Sequence, residues 1–314
     1  MVKFYKTTEK GETTQVNKLE KGVWINMCSP TNEEIEDICS KIQISEDFIK
    51  YALDSEEQAR IDVDEDENTV LFIIDTPVIE EDEKGKIYTT MPMGVIVVRD
   101  DYIITVSLKE NEIIKSVEKD TKKIVTYKKS RILLQILYNN SVSFLDTLKK
   151  VNKESEIAEH ILQRSMKNEE VIHMLNLEKS LVYLTTSLKT NELVMEKTMR
   201  GKIIKLYEED EDLLEDAIIE NRQAIEMSQI YSNILGTTME AYASIISNNL
   251  NVVMKILTSI TIIIAIPTLI ASFWGMNVPV PFQNNQLGFL IMIVISALLA
   301  VVATLWLRKK NMLS

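Results

Sequence analysis

The stretch that decides the fold is Val252–Trp274, VVMKILTSITIIIAIPTLIASFW, which is apolar over about 23 residues and carries one charge, Lys255. A second uncharged run, Leu287–Leu307, covers about 21 residues. Each matches the roughly 20 residues that a helix needs to cross the hydrocarbon core of a bilayer. The connection, residues 275–286, is short and contains two prolines. We therefore predict a transmembrane hairpin with spans at 252–274 and 287–307.

Basic residues mark one end of this hairpin. Arg308, Lys309 and Lys310 follow the second span at once, in a tail of residues 308–314, and Lys255 lies at the start of the first span. Lysine and arginine are enriched on the cytosolic side of membrane spans. We predict a multi-pass protein of the cell membrane with both chain ends in the cytosol and the loop outside. A buried core hairpin of a soluble protein is the poorer alternative.

The charge of the chain is distributed unevenly. Its 314 residues include 35 Lys and Arg and 47 Asp and Glu, a formal net charge of -12. Residues 251–314 hold no acid and four of the cations, which leaves 31 cations against 47 acids, or -16, on residues 1–250. An acidic body repels nucleic acid and anionic lipid, so we expect neither as a partner. An acidic body suits a protein that accumulates or senses cations. Acids that only keep the body soluble would give the same composition.

Motifs for catalysis are missing from the sequence. There is no phosphate-binding loop and no HExxH, and His160 and His173 lack Cys or carboxylate neighbours at metal-ligand spacing. The two cysteines, Cys28 and Cys39, give no disulfide framework and fit a reduced cytosolic compartment. The sequence predicts neither an enzyme nor an organic cofactor.

Residues 1–115 mix short helices with runs rich in Val, Ile and Tyr. Thr31-Asn32-Glu33-Glu34 is a capping box that predicts a helix to Ile42, and Ser45 predicts the start of another. The acidic segment Glu80–Gly85 predicts a hairpin turn. We predict a cytosolic α+β domain with a largely antiparallel sheet. Its predicted strands are Gly22–Cys28, Val70–Ile74, Ile87–Met91, Gly94–Val98 and Tyr102–Ser107.

A second cytosolic domain, residues 116–250, is predicted to be helical, before a transmembrane domain at 251–314. Apolar residues recur at helical spacing, and breaks are predicted near Lys167–Glu169 and Thr198–Lys202. The resulting helices are long, antiparallel and coiled-coil-like. The last would run from about Lys202 into the membrane, some 70 residues, or on the order of 100 Å. Such a helix needs neighbouring copies to bury its apolar stripe, so an oligomer is predicted.

The first span has a polar seam. In helical projection the seam residues lie within about 60° of Met254. They are Asn251, Met254, Thr258, Thr261, Ala265, Thr268, Ser272 and Gly275. One interpretation is a small-residue packing surface between helices. The other is a water-lined pore formed by copies of the same helix. Periodicity alone favours packing and leaves both open.

Four features of the sequence occur together: the segment Ser247–Thr258 (SNNLNVVMKILT), Pro267, the tripeptide Gly275-Met276-Asn277 and the basic triplet after the second span. In this combination the sequence resembles the CorA family of magnesium channels. The similarity extends along the whole chain. The tripeptide is specific because it ends the first span, before a short loop and a final span. The resemblance implies a funnel-shaped homopentamer in the lipid bilayer, in which the first span of each subunit lines the pore.

The resemblance also implies roles for single residues. Asn277 would form a ring of amide oxygens at the outer mouth and accept hydrogen bonds from the waters of Mg²⁺, which dehydrates reluctantly. Thr268 would form a polar ring in the pore, with Thr258 and Thr261 lining it below. The hydrophobic gate and the cytosolic polar ring would be formed by the remaining matched positions, Met254, Leu257 and Asn251.

The end of the first span requires a break in the helix. A straight helix would place Asn277 about 140° from the seam centre, so we predict that the helix ends or distorts at Gly275, which gives the backbone freedom to turn. Met276 and Trp274 would pack at the rim. Pro267 would free a carbonyl group and bend the span, with a simple packing kink as the alternative.

Regulation in the family uses divalent ions bound between neighbouring cytosolic subunits. By position, Asp216 and Asp82 are the candidate metal ligands, and a solvated acidic face is the alternative for both. The implied function is passive uptake of Mg²⁺, the transported and regulatory ion, driven by the membrane potential, with Co²⁺ and Ni²⁺ as further ions. Loop residues 278–286 lack the acids common in this family, which leaves ion choice open. A zinc or other divalent-cation secondary transporter or exporter, and a non-conducting membrane sensor, are the alternatives.

Overall fold

The structure is a computed structural model that describes residues 1–8, 11–82, 85–99, 101–119, 124–165, 168–201, 203–282 and 286–312. It divides into two compact units, Met1–Thr237 and Thr238–Ser314. The seven helices of the described part are α1 Asn32–Ile42, α2 Asp47–Ala52, α3 Glu112–Lys119, α4 Lys129–Ser165, α5 Asn168–Gly201, α6 Glu208–Trp274 and α7 Gly288–Lys309.

The first unit is built on one seven-stranded sheet. The strands are β1 Val2–Thr7, β2 Thr13–Val16, β3 Trp24–Cys28, β4 Arg60–Asp64, β5 Thr69–Asp82, β6 Gly85–Val98 and β7 Tyr102–Ser107. Their order across the sheet is β2-β1-β3-β7-β6-β5-β4. Every pair is antiparallel except β3 and β7, which run parallel, with Cys28 opposite Ser107. The predicted α+β fold with a largely antiparallel sheet is confirmed.

Strand β6 corrects one prediction. The runs Ile87–Met91 and Gly94–Val98, predicted as two strands, form a single strand that continues through Pro92. Proline has no backbone N–H to give to a neighbouring strand. It is tolerated here because β7 pairs with β6 only from Met93 to Val98, so no β7 residue faces Pro92. The predicted turn at Glu80–Gly85 fits the pairing of β5 with β6, although residues 83 and 84 lie outside the described residues.

The sheet carries an apolar core on each face. In β5, Leu71 and Ile73 point to a core shared with α1 and α2, whereas Phe72 and Ile74 point to the opposite core. The second core also contains buried residues of the long helices, Ile132, Val194 and Leu214 among them. The sheet and these helices therefore share one compact unit, and the predicted domain boundary near residue 115 falls inside it.

Local signals set the helix ends in most cases. The predicted capping box is present: the Thr31 side chain accepts from the Glu34 N–H, and the Glu34 carboxylate accepts from the Thr31 N–H. The Ser45 hydroxyl accepts from the Asp47 N–H at 3.3 Å, but the residue in the N-cap position is Glu46. Helix α6 begins at Glu208 rather than at the predicted Lys202. The first turn from Glu208 consists of four acids, and negative charges stabilise the N-terminus of a helix.

A break between α3 and α4 was not predicted. Residues 124–128 are not helical, and within them Thr126 forms hydrogen bonds with Thr7 of the first strand. The backbone N–H of Thr126 donates to the Thr7 hydroxyl at 2.8 Å, and the Thr7 N–H donates to the Thr126 hydroxyl at 3.0 Å. These contacts join residues far apart in the chain, so helical periodicity could not reveal them.

Two asparagines attach the long helices to the uncovered edge of β5. Strand β4 covers β5 only as far as Ile73. Beyond it, the Asp75 N–H donates to Asn191 Oδ1 at 2.9 Å, and the Asp75 carbonyl accepts from Asn191 at 2.8 Å and from Asn140 at 2.9 Å. Buried backbone groups need partners. These side chains thus replace the missing neighbour strand and position α4 and α5 against the sheet.

Candidate functional site

The second unit contains an apolar helix hairpin. Among the described residues two helices, α6 and α7, are long and apolar enough to cross a membrane. Only 6% of the most apolar window of each is buried within the chain. A core helix of a soluble protein would be mostly buried, so that alternative is disfavoured. The apolar segments coincide with the predicted spans, 252–274 and 287–307.

One side of the α6 span faces α7. Its residues that are wholly or partly buried recur every three or four positions, and in projection they centre about 180° from Met254. They are Val252, Ile256, Ser259, Ile263, Ile266, Pro267, Ile270 and Trp274. The polar seam lies on the other side, and each of its eight members from Asn251 to Gly275 is exposed. The seam is therefore not the packing surface of the hairpin.

The seam threonines present hydrogen-bond acceptors. Each donates its hydroxyl proton to the helix carbonyl four residues earlier, at 2.8 Å for Thr258, 2.9 Å for Thr261 and 3.0 Å for Thr268. A hydroxyl has one proton and two lone pairs. Because the hydroxyl proton is donated to a carbonyl of the same helix, the threonine oxygen can only accept hydrogen bonds from groups outside the helix. A hydrated cation directs its water protons outward, so this surface is complementary to it.

Two large apolar side chains lie at the N-terminal end of the seam. Met254 is 58% exposed and Leu257 is 57% exposed. Asn251, one turn earlier, is exposed as well. Met254 therefore lies on the same side of the helix as the threonines, and Leu257 lies beside that side. Both side chains remain exposed within the described part of the second unit.

The helix ends at the predicted tripeptide. Helix α6 stops at Trp274, and Asn277 follows in a bend with an exposed side chain. The geometric condition that the helix end here is therefore met. The reason given for Gly275 is wrong, because its φ is not in the left-handed region. A Cβ at this position would lie 3.3 Å from the Ala271 carbonyl oxygen, so the glycine supplies space rather than conformational freedom. Met276 is 53% exposed.

The loop after the tripeptide is held against the hairpin. The Trp274 indole N–H donates to the Pro281 carbonyl at 3.2 Å, and the Trp274 and Phe289 rings lie 6.5 Å apart. A Cβ on Gly288 would approach the Phe282 carbonyl oxygen to 2.4 Å. Only glycine admits this close passage of the chain. Trp274 is therefore a packing residue of the rim, as its position predicts. Residues 283–285 lie outside the described residues.

Pro267 belongs to the packing side. It lies inside α6 without ending the helix and lines an apolar cavity with Met292 of α7. The carbonyl that a helical proline leaves free is that of the residue four positions earlier, here Ile263. This residue is on the side that faces α7. The arrangement favours the packing alternative for Pro267.

The two candidate regulatory acids lie in the first unit. Asp216 is exposed on α6 and forms no ion pair within the described residues, whereas Arg131 pairs with Glu209 at 3.0 Å and with Asp210 at 3.6 Å. Asp82 is the last residue of β5, and its side chain is outside the described part. No group of three His, Cys, Asp or Glu is placed to hold a metal within the described residues of one chain.

The described chain combines an antiparallel-rich sheet with a long helix and a two-helix apolar hairpin that has a hydroxyl-lined face, which are the features of a membrane-spanning protein. Comparison with known proteins identifies which one. The chain belongs to the family described as CorA-like Mg2+ transporter protein, whose sequence model matches residues 20–309. The predicted family resemblance is confirmed.

Two relatives extend the comparison over most of the chain. The Cobalt/magnesium transport protein CorA of Methanocaldococcus jannaschii is 31% identical over 277 residues, which cover 85% of this chain and 84% of that protein. The complete structure of the CorA magnesium transporter from the same organism matches with a TM-score of 0.84 at 26% identity, over 98% of both chains.

A more distant structure has a similar fold over part of the chain. The ZntB cytoplasmic domain from Vibrio parahaemolyticus matches with a TM-score of 0.58 at 11% identity, over 79% of this chain and 97% of that domain. At this identity the match shows a common fold alone. It carries nothing about the ion.

Proposed function

We propose that this chain is the subunit of a homopentameric channel that carries Mg²⁺ passively into the cell. Co²⁺ is included because the related proteins from Methanocaldococcus jannaschii and Thermotoga maritima are named cobalt/magnesium transport proteins, and Ni²⁺ because of its similar size. Two charges that move through about 100 mV release about 4.6 kcal/mol. This is enough to draw the ion inward without ATP.

The observation that carries the proposal is the exposed hydroxyl seam opposite α7. Within the hairpin, α7 covers the other side of α6, so the seam is free to face the same seam of neighbouring copies. Thr258, Thr261 and Thr268 then line a central path with acceptor oxygens. A ring of such acceptors binds a hydrated cation weakly enough for release, as conduction requires.

The path would begin at the outer mouth. The amide oxygens of a ring of Asn277 side chains would accept hydrogen bonds from the waters of Mg²⁺. They would bind the hydrated ion less tightly than carboxylates would. Further in, Met254 and Leu257 close the path by dewetting when they come together, and Asn251 forms a polar ring below them. The basic flanks support an orientation with both chain ends in the cytosol and the tripeptide outside.

Regulation would use a second chain. Because one chain assembles no metal cluster within its described residues, Mg²⁺ at Asp216 needs ligands from a neighbouring subunit. Asp82 is a second candidate. An ion that bridges acids of two subunits relieves their repulsion and stabilises one arrangement of the subunits. Cytosolic Mg²⁺ would thus close its own channel.

A magnesium-deficient strain tests the proposal. Expression of the wild-type chain should restore growth at low Mg²⁺, and Asn277→Ala should abolish the rescue at equal membrane abundance. Gln286→Ala removes another exposed amide of the same loop and serves as the control. Full rescue by Asn277→Ala would contradict the role of Asn277, and no rescue by the wild type at equal membrane abundance would favour a non-conducting sensor.

Uptake into reconstituted vesicles separates the channel from a coupled exporter. For a channel, Mg²⁺ uptake should rise with an inside-negative potential and be unchanged by a pH gradient. Uptake that follows the pH gradient, or a preference for Zn²⁺, would instead support the secondary transporter.

A further inference from the structure

The basic end of the hairpin is folded into one cluster by a turn that follows α7. Asn311 adopts a left-handed φ of 53°, the Asn311 N–H donates to the Arg308 carbonyl at 3.1 Å, and the Met312 N–H donates to the Leu307 carbonyl at 3.1 Å. These two bonds define a Schellman turn, in which the chain reverses after the helix. Leu307 is buried beneath it.

A buried hydroxyl joins this turn to the other span. Ser259 is fully buried, and its Oγ lies 3.0 Å from the Met312 carbonyl oxygen and 2.8 Å from the Lys255 carbonyl oxygen. The backbone of Lys255 and the reversed tail therefore meet at one atom. Helical side chains lean toward the helix N-terminus, so the Lys255 ammonium group extends toward the end where the tail lies.

The cluster thus comprises Lys255, Arg308, Lys309 and Lys310. All four side chains are exposed, and none forms an ion pair within the described residues. The last acid before the end of the sequence is Glu240. Cations at a helix C-terminus are stabilised by the helix dipole, which accounts for the triplet. It does not account for Lys255, which lies in the interior of α6.

The depth of the cluster fits the headgroup region of a bilayer. Trp306 is 59% exposed one turn before Lys310, and tryptophan is enriched at the membrane–water interface. Arginine binds phosphate through two parallel hydrogen bonds, and lysine contributes point charges. We infer that Lys255, Arg308, Lys309 and Lys310 form a binding site for the phosphate of an anionic phospholipid. The acidic body repels such lipids, so the site is confined to this end of the hairpin.

This inference rests on the membrane placement of the hairpin and not on conduction. Native mass spectrometry of the full-length protein in detergent tests it, with phosphatidylglycerol and phosphatidylcholine of identical acyl chains at equal concentration. The wild type should retain phosphatidylglycerol preferentially. Each cation near a lipid headgroup contributes about fivefold to binding. The variant Arg308→Gln/Lys309→Gln/Lys310→Gln should therefore lose retention by on the order of 100-fold.

Further variants keep the test independent of misfolding. Lys255→Gln leaves the triplet intact and should weaken retention about fivefold. Ser259→Ala keeps all four charges and should weaken it by at most about fivefold, because one hydrogen bond is lost. The control Lys153→Gln/Lys179→Gln/Lys197→Gln removes three exposed lysines of α4 and α5 and should change nothing.

Three outcomes would each overturn the site. The first is equal retention of the two lipids by the wild type, and the second is unchanged retention by the triple tail variant. The third is displacement of phosphatidylglycerol by equimolar inorganic phosphate, which would assign the cluster to a free anion. Loss of ion uptake with intact lipid retention would instead contradict the channel and leave the lipid site standing.

Discussion

The indole nitrogen of Trp274 lies 3.2 Å from the carbonyl oxygen of Pro281, and this one hydrogen bond closes a loop of chain around Gly275-Met276-Asn277. The same ring contacts Phe289 near the start of α7. Trp274 is the last residue of α6. One side chain thus links the end of the first span, the connecting loop and the second span.

Replacement of Trp274 by Phe keeps a ring beside Phe289 and removes the N–H donor. We expect the half-saturating Mg²⁺ concentration for uptake to rise about fivefold, because the loss of one hydrogen bond loosens the loop that carries Asn277. Uptake measured against Mg²⁺ concentration checks this. Trp306→Phe alters the other tryptophan of the hairpin, which is exposed, and serves as the control. Equal effects of the two substitutions would mean that the Pro281 bond does not position the loop.

Replacement of Thr268 by Val removes an acceptor oxygen from the seam at nearly constant volume. We expect potential-driven Mg²⁺ uptake into vesicles to fall at least about fivefold, since every subunit of the ring loses one hydrogen-bond acceptor. Thr304→Val is a matched control, because the Thr304 hydroxyl also donates to a helix carbonyl four residues earlier, at 2.8 Å, but belongs to α7. If both variants conduct alike, the seam is a packing surface.

Replacement of Gly288 by Ala would place a methyl group 2.4 Å from the Phe282 carbonyl oxygen. Overpacking of this kind costs about 1–3 kcal/mol, so we expect a lower unfolding temperature and reduced uptake. At Gly236, inside α6, a Cβ would meet only Glu178 Oε1, at 3.9 Å. Gly236→Ala should therefore stabilise the protein by up to about 1 kcal/mol. The two unfolding temperatures should shift in opposite directions.

Replacement of Asp216 by Asn removes a charged ligand of the proposed regulatory site. Wild-type protein should become resistant to trypsin as Mg²⁺ is added, and the variant should need several-fold more Mg²⁺ for the same protection. Removal of Mg²⁺ with a chelator should return both proteins to the sensitive state. Asp212→Asn is the control within the same acidic run, and Asp212 is exposed like Asp216. A shared response would indicate a solvated acidic face.

Replacement of Asn191 by Ala leaves the Asp75 N–H without its partner and takes one donor from the Asp75 carbonyl. An unsatisfied buried backbone group costs about 1–3 kcal/mol. We expect faster hydrogen exchange at the Asp75 amide and along the adjoining part of β5. Lys189→Ala changes an exposed neighbour on the same helix and should leave exchange as in the wild type. Unchanged exchange in Asn191→Ala would show that water replaces the side chain.

Local signals in the sequence predicted much of this structure. The apolar spans, the Thr31 capping box and the end of α6 at the tripeptide depend on neighbouring residues, and all are present. The strands that were missed are β1, β2 and β4, and β2 and β4 form the two edges of the sheet. Strand β2 has one apolar residue in four, whereas β4, with the sequence RIDVD, does alternate polar and apolar residues, so its signal was present in the sequence.

Other features depend on tertiary contacts that periodicity does not encode. The sequence could not tell whether the seam or its opposite side faces α7, because both sides repeat at the same spacing. Nor could it show that Thr126 binds Thr7 and interrupts the helices. Gly275 illustrates a different limit: its position was predicted, but its physical role follows from a contact with Ala271.

The parallel pairing of β3 with β7 has a consequence for synthesis of the chain. Residues 24–28 leave the ribosome long before their partner, residues 102–107, so the first strands must wait with an open edge. Pairing over such a separation is slow and exposes the chain to aggregation. The apolar spans follow every strand of the sheet in the chain and are therefore translated after it. A nascent chain can thus finish its water-soluble unit before the membrane-insertion machinery receives the hairpin.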